Sequence, residues 1–347
     1  MTLDPGNSHT VWVGTGENNS QRSVAYGDGV YRSLDGGKTW ENKGLKRSLH
    51  IGKIIVHPAD SDVVYVAAMG PLWGPGGDRG VYKTTDGGEN WELVLEIDEN
   101  TGVVDLVMDP RDPDVLYAAS YQRRRHVWVL INGGPGSGIH KTTDGGRTWT
   151  ELTNGLPGVD KGRIGLAIAP KKPDTVYAII EAANDKGGFF RSTDAGMNWE
   201  KRSDYVAGSP QYYNEIYVDP VDENMVISMD VRNMVTNDGG KTWENMGLKE
   251  SEHISKIIIH PKNSDILWVA AQGPLWAPGG ERGLYKTTDG GRTWIKQLGD
   301  EAFTGATDLI MDPRDPDVLY AATWQHHRTV AAYMGGGPET AIYRTLD

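Results

Sequence analysis

An eight-residue pattern, Ser/Thr-x-Asp-Gly/Ala-Gly-x-Thr/Asn-Trp, recurs along this 347-residue chain and constrains its fold more than any other feature. Complete copies follow one another at intervals of 44 to 58 residues, and a further copy begins at Thr345 and reaches Asp347. Repeats of this length are typical of arrays in which one supersecondary unit packs against the next. The aspartates of the complete copies are Asp35, Asp86, Asp144, Asp194, Asp238 and Asp289, and the tryptophans are Trp40, Trp91, Trp149, Trp199, Trp243 and Trp294.

Each repeat contains four short apolar runs separated by Gly-rich or Pro-containing turns. The last run starts at the Trp of the octapeptide. Such runs are typical of antiparallel strands, and four of them per repeat predict the blade of a β-propeller, because an isolated four-stranded sheet cannot bury both faces. We therefore predict an all-β, single-domain propeller of about seven blades over 1–347, with the last blade incomplete. The approximate blades are 1–48, 49–100, 101–158, 159–208, 209–250, 251–302 and 303–347.

A second duplication, longer than one blade, is also present in the sequence. Residues 33–144 and 236–347 align without a gap at a constant offset of 203, so that GPLWGPGGDRG at 70–80 returns as GPLWAPGGERG at 273–283. A recent tandem duplication and a fusion of two related fragments both predict this pattern. The alignment also supplies matched pairs of residues within one chain.

Composition excludes several classes of function. The net charge of −12 disfavours nucleic acid as a partner, because proteins that bind a phosphate backbone present a basic surface. The absence of cysteine excludes disulfides, thiolate metal sites and a cysteine nucleophile. No apolar run is long enough for a membrane-spanning helix, and no signal peptide follows Met1.

The octapeptides are predicted to be structural turns and not a catalytic set. An Asp carboxylate accepts backbone N–H groups of a glycine turn, the Ser or Thr hydroxyl assists, and the Trp covers a neighbouring apolar layer. Unperturbed stability after removal of these aspartates would contradict that role.

Acidic residues on the first strand of several blades are the candidate catalytic groups. Alternation places Val104, Leu106 and Met108 on one face of a strand and Asp105 on the other, and we expect the acidic face to line a central channel. Paired carboxylates hydrolyse glycosidic bonds when suitably spaced. Ordinary ion pairs in a wet channel are the alternative reading. The candidates are Asp105, Glu215 and Asp308.

Long loops between the second and third strands form the other candidate surface, since loops on a rigid scaffold commonly carry binding sites. Aromatic rings beside Arg and amide groups suit a sugar, a peptide or an anionic group. The alternative is that these side chains only pack the loops together. The candidate ligand-binding residues are Glu17, Arg22, Trp73, Arg79, Arg123, Arg125, His126, Trp276, Arg282, Trp324 and Arg328.

The segments VWVGTGENNSQRS (11–23), GDGVYRSLDGGKTW (27–40) and YQRRRHVWVLINGGPGSGIHKTTDGG (121–146) resemble the BNR/Asp-box, sortilin-like propellers of large bacterial secreted proteins that are often labelled glycosyl hydrolases. The resemblance covers the whole chain, and sialidases and xyloglucanases are more distantly similar. It implies carbohydrate processing and an extracellular or periplasmic location. Because such proteins are usually longer, the chain is interpreted as a fragment or as a duplicated or fused form.

Three functional hypotheses follow. The first is a non-catalytic scaffold that binds protein, peptide or glycan through one face and the channel mouth. The second is a sialidase- or xyloglucanase-like glycoside hydrolase with carboxylates in the channel, and the third is an engineered or fragmentary propeller without a selected function. We predict no cofactor and no metal ligands, with structural calcium as an open alternative, and a monomer unless the chain ends exchange between copies.

Overall fold

The computed structural model describes residues 1–212, 214–230, 233–299 and 301–345. Within these ranges the only helical element is the 3₁₀ turn η1 (Ala183–Asp185), and the other regular elements are strands. They form seven antiparallel sheets, which confirms the predicted all-β propeller with seven blades. Asp347, the end of the incomplete octapeptide, lies outside the described residues.

The chain separates into two compact units. Unit 1 comprises residues 1–206 and 210–215, and unit 2 comprises 207–209 and 216–347. The prediction of a single domain over 1–347, with the blade bounds given above, stays a prediction.

Unit 1 contains the first four blades. In the first two, the strands are β1 (Thr2–Leu3), β2 (Val11–Gly14), β3 (Val30–Ser33) and β4 (Glu41–Asn42), then β5 (Ile51–His57), β6 (Asp60–Met69), β7 (Arg79–Thr84) and β8 (Glu92–Leu95). In the third they are β9 (Thr101–Met108), β10 (Leu116–Arg125), β12 (Gly138–Thr142) and β13 (Thr150–Leu152), with β11 (Leu130–Asn132) paired to the end of β10. In the fourth they are β14 (Lys161–Ile168), β15 (Val176–Ala182), β16 (Gly188–Ser192) and β17 (Glu200–Ser203).

The last three blades follow in the same order. The fifth has β18 (Glu215–Val218), β19 (Val226–Met229), β20 (Met234–Thr236) and β21 (Glu244–Asn245), and the sixth has β22 (Ile254–His260), β23 (Asn263–Ala271), β24 (Gly283–Thr287) and β25 (Ile295–Leu298). The seventh has β26 (Thr304–Asp312), β27 (Asp315–Arg328) and β29 (Ile342–Arg344), while the short β28 (Tyr333–Gly335) pairs with the end of β27.

The apolar core lies between successive blades within each unit. In unit 1, Val64, Val66 and Ala68 of β6 pack with Trp12 of the first blade, whereas Tyr65 and Ala67 of the same strand pack with Leu106 of the third. A period of two therefore places alternate residues of a central strand on opposite neighbours. Both faces of a blade are buried, which is why its central strands read as continuous apolar runs.

The octapeptide turns join the third and fourth strands of their blades. The Asp35 carboxylate accepts the Thr39 backbone N–H at 2.9 Å, the Thr39 hydroxyl at 2.7 Å and the Ser33 hydroxyl at 2.8 Å. These bonds lower the pKa of Asp35 to about 2. The bonds from the backbone N–H and from the first Ser or Thr hydroxyl recur at the other copies, to Asp86, Asp144, Asp194, Asp238 and Asp289.

The tryptophans of the octapeptides link the turns to the blades. The indole N–H of Trp40 donates to the Gly37 carbonyl of its own turn at 2.9 Å. That of Trp91 donates to Lys43 of the first blade at 2.6 Å, and its ring meets Trp12 edge-on at 6.4 Å. Trp294 makes the corresponding bond to Met246 in unit 2, at 2.8 Å. The geometry is that of a structural turn.

The expected facing of β9 is corrected by the structure. A bulge shifts the register so that Ala119 pairs with Asp105 and Ser120 with Val103, and Val104 consequently packs toward the fourth blade while Leu106 packs toward the second. Asp105 is only 5% exposed. Side chains of a first strand meet neighbouring blades on both faces, which alternation alone could not reveal.

Candidate functional site

The loop between β2 and β3, residues 15–29, is the centre of a polar cluster in unit 1 and is called the blade-1 loop below. Its second residue, Gly16, has a φ of +87°, and a Cβ there would lie 2.0 Å from the carbonyl oxygen of Leu49. Only glycine fits this close approach. The turn brings the backbone of Glu17 against His50, whose Nδ1 lies 2.9 Å from the Glu17 carbonyl.

Arginines from the third and fourth blades hold the blade-1 loop by its carbonyl groups. Arg163 donates to the Asn18 carbonyl at 2.6 Å, Arg123 to that of Asn19 at 2.7 Å, and Arg125 to that of Ser20 at 2.9 Å. Arg123 is fully buried, and this burial lowers its pKa to about 9. Arg163 is also buried, so two of the three guanidinium groups that fix the loop are shielded from water.

Three glutamates belong to this cluster: Glu17 in the loop itself, and Glu181 and Glu215, which both interact with Arg163. Burial raises the pKa of Glu17, which accepts the Asn19 amide at 3.3 Å, and burial likewise raises the pKa of Glu181 on β15. Glu215 forms an ion pair with Arg163 at 3.3 Å and accepts the Asn18 amide at 3.4 Å. A carboxyl group that keeps its proton to a higher pH beside an ion-paired carboxylate is an arrangement suited to general acid–base catalysis.

A chain of hydrogen bonds orients Glu181. The Asn132 amide donates to both of its oxygens at 3.2 Å, and Asn132 accepts the Tyr121 hydroxyl, which lies 3.4 Å from Ser20 Oγ on the blade-1 loop. The Arg163 backbone N–H also donates to Glu181 at 3.2 Å. A Cβ at position 162 would lie 2.2 Å from Glu181 Oε2, so Gly162 leaves room for the carboxylate.

Of the three acidic candidates predicted from sequence, only Glu215 lies in this cluster. Asp105 accepts the Leu166 backbone N–H of β14 and its own neighbour's N–H, both at 2.9 Å, and pairs with Lys53 at 3.5 Å. It thereby joins the first strands of the third and fourth blades. Asp308, its duplicate in unit 2, accepts the Leu309 backbone N–H at 2.8 Å.

The predicted ligand-binding residue Arg79 is buried and supports a loop. It is 4% exposed and donates to the carbonyls of Met69, Gly74 and Gly76, each at 2.8 Å, and to that of Pro71. In unit 2, Arg282 makes the matching bonds to Gln272, Pro274, Ala277 and Gly279. A guanidinium group with several carbonyls around it orders a loop that has no regular structure of its own.

The remaining predicted residues divide between the two units. In unit 1, Arg22 donates to the Val127 carbonyl at 3.1 Å, His126 stacks on the exposed Trp128, and Trp73 is half-buried. In unit 2, Arg328 lies over the Trp276 ring at 5.2 Å, and Trp324 stacks on His326 at 4.5 Å. Each unit therefore carries its own set.

Glu181, Asn132 and Arg163 were missed from the sequence. Glu181 carries a detectable signal, because it is an acidic residue near the end of the apolar strand VYAIIEA. Asn132 and Arg163 carry none that separates them from ordinary surface residues. Among the described residues, no group of three or more His, Asp or Glu is placed to hold a metal ion, and no helix is long and apolar enough to cross a bilayer.

The blades and the octapeptide turns define the chain as a seven-bladed β-propeller with a carboxylate cluster in its first unit. The sequence profile of the family described as "Sortilin, neurotensin receptor 3" matches residues 28–188 and 187–305. The chain belongs to this Sortilin-Vps10 family, as the resemblance implied.

The chain is also similar to xyloglucanases in sequence and to other solved proteins in structure. A probable oligoxyloglucan-reducing end-specific xyloglucanase of Neosartorya fischeri is 23% identical over 322 residues, which are 80% of this chain and 36% of that protein. The crystal structure of an ancestral GH74 enzyme superimposes with a TM-score of 0.64 at 18% identity, over 96% of this chain and 45% of that one. A structure of YCF48 bound to D1 peptide gives a TM-score of 0.54 at 15% identity, over 91% and 94%.

The chain thus spans about a third of the length of the xyloglucanase it matches. Our first functional hypothesis, a non-catalytic scaffold, is wrong in the light of these relatives: the sequence similarity is to xyloglucanases, which favours the hydrolase alternative. The similarity to the solved structures supports the fold alone.

Proposed function

We propose that this chain is the propeller of a glycoside hydrolase and that it acts on a xyloglucan-like β-glucan. The observation that carries the proposal is that Glu181, with a raised pKa, and Glu215, in an ion pair, both interact with Arg163, which also holds the loop that contains Glu17. The similarity to xyloglucanases supplies the class of substrate. The predicted extracellular or periplasmic location agrees with this function and stays a prediction.

Hydrolysis of a glycosidic bond needs one carboxylic acid and one carboxylate. We assign the acid to Glu181, because burial raises its pKa and Asn132 and Arg163 fix its position. Glu181 gives its proton to the leaving oxygen as the bond to the anomeric carbon breaks. Glu215 takes a proton from the water that attacks that carbon. Glu17 is the second candidate for the acid, since its pKa is raised for the same reason.

The test compares Glu181→Gln, Glu17→Gln and Glu215→Gln on xyloglucan and on an aryl glycoside with an acidic phenol as leaving group. Loss of the acid lowers kcat on xyloglucan by about 10²–10⁴-fold, and by much less on the aryl glycoside, whose leaving group needs no proton. Loss of the base lowers both rates. Glu92→Gln, an exposed change on β8, is the matched control.

Absence of xyloglucan hydrolysis by the unmodified chain contradicts the proposed function. If Glu181→Gln hydrolyses xyloglucan at the unmodified rate, while Glu17→Gln is slow on xyloglucan and much less affected on the aryl glycoside, then Glu17 is the acid. The proposed function stands in that case.

A further inference from the structure

The hairpin formed by β10 and β11 ends in an exposed apolar tip. Arg125 pairs with Leu130, and the four residues between them include Val127, Trp128 and Val129, which are 70%, 82% and 42% exposed. Exposed apolar clusters on a folded chain commonly mark interaction sites. An indole with this exposure offers most of its surface to a ligand.

The tip is held in place before any ligand arrives. The His126 backbone N–H donates to the Val129 carbonyl at 2.8 Å, and Arg22 of the blade-1 loop donates to that of Val127 at 3.1 Å. The Arg125 backbone N–H donates to Leu72 at 2.8 Å, while its side chain donates to Ser20. Because the tip is already ordered, binding costs little conformational entropy.

The duplicated hairpin in unit 2 provides an internal comparison. Its tip lies between β27 and β28, and the offset of 203 places Ala331 where unit 1 has Trp128 and Gly335 where it has Asn132. Trp128 and Asn132, whose amide orients Glu181, are therefore present together in the unit 1 hairpin, and both are replaced in the unit 2 hairpin. This pairing links the Trp to the carboxyl cluster.

We propose that Trp128 is a stacking platform for a sugar ring of the β-glucan, remote from the bond that is cleaved; this inference rests on the proposed function. At no more than about 3.3 Å per residue, the four residues from Asn132 to Trp128 span at most about 13 Å, a length of about two to three sugar rings. Arg22 and Arg125 bind backbone carbonyls here, so the site suits an uncharged ring that offers C–H groups to the indole face.

The test is binding and cleavage of xyloglucan oligosaccharides of two lengths by the unmodified chain, Trp128→Ala and Val330→Ala. Val330 is the matched control, a fully exposed apolar residue of the unit 2 hairpin tip that aligns with Val127. The expected result is a three- to tenfold weaker Kd of Trp128→Ala for the longer oligosaccharide, about the effect of one aromatic contact, with the Kd of the shorter one unchanged. Val330→Ala leaves both values unchanged.

Equal affinities of Trp128→Ala and the unmodified chain for the longer oligosaccharide overturn the inference, and cleavage that still depends on Glu181 then leaves the proposed function intact. Lack of both binding and cleavage by the unmodified chain overturns the function and the inference together. If the unmodified chain self-associates and Trp128→Ala abolishes this association, then Trp128 contacts a second copy of the chain. That result also overturns the inference. Because Trp128 is exposed, its replacement leaves the melting temperature unchanged, which separates these outcomes from misfolding.

Discussion

Replacement of Asp105 by Ala removes the side chain that joins β9 to β14 in unit 1. Asp105 is 5% exposed and accepts the Leu166 backbone N–H at 2.9 Å, while Lys53 lies 3.5 Å away. The variant leaves the Leu166 N–H without its acceptor between two packed strands. A buried donor left unpaired costs about 1–3 kcal/mol. The half-exposed Lys53 adds about 0–1 kcal/mol.

We therefore expect Asp105→Ala to lower the free energy of unfolding by about 1–4 kcal/mol. Asp105→Asn keeps one carbonyl oxygen as an acceptor and should lose less than half of that. The assay is urea unfolding followed by tryptophan fluorescence, in which a lower midpoint at an unchanged slope reports lost stability. Glu92→Ala, an exposed position on β8, is the control and should change the free energy by no more than about 0.5 kcal/mol.

An unfolding midpoint of Asp105→Ala equal to that of the control would refute the structural reading of this carboxylate. Loss of glycan hydrolysis by a fully stable Asp105→Asn would return Asp105 to the catalytic candidates. Reduced stability with normal hydrolysis by Asp105→Asn is the result that the geometry favours.

Two further predictions concern the turns and the loops. The pKa of Asp35 and of Asp86 is lowered to about 2, below the ordinary 3.8, so their ionised forms stabilise the fold above about pH 4 and this contribution is lost as the pH falls toward 2. Melting measured from pH 6 to pH 2 should fall over that window, and less steeply for Asp35→Asn; equal slopes would contradict the prediction. Arg79→Met should lower the free energy of unfolding by about 2–4 kcal/mol, because four carbonyls lose their donor, and should speed proteolysis within residues 70–78. An unchanged cleavage rate would show that the loop is held by other contacts.

The repeat made the fold predictable because each blade contains the same turn residues and the same short apolar runs. A Gly-Gly turn with an Asp acceptor and a following Trp recurs at Asp35 and at Asp289, and both positions form the same hydrogen bonds. The short continuous apolar runs likewise predicted strands that are buried on both faces. These features depend on residues close together in sequence.

The candidate site was only partly predictable. Glu17 and Glu215 were selected from their positions in a loop and at a strand start, whereas Glu181 and Asn132 were not. The expected single apolar face of β9 was wrong because a one-residue bulge sends Val104 and Leu106 toward different neighbouring blades. Alternation cannot place a bulge, since the bulge depends on pairing with β10.

The sequence by itself determined the architecture of this protein, seven sheets of which six contain a described Asp turn between their third and fourth strands, because turn chemistry and strand periodicity act over a few residues. Only the tertiary structure decided that Asn18, Glu181 and Glu215 meet, since they are brought together from three blades by Arg163. Burial, which sets the protonation of Glu181, arises from that meeting and has no counterpart in any single segment of the chain.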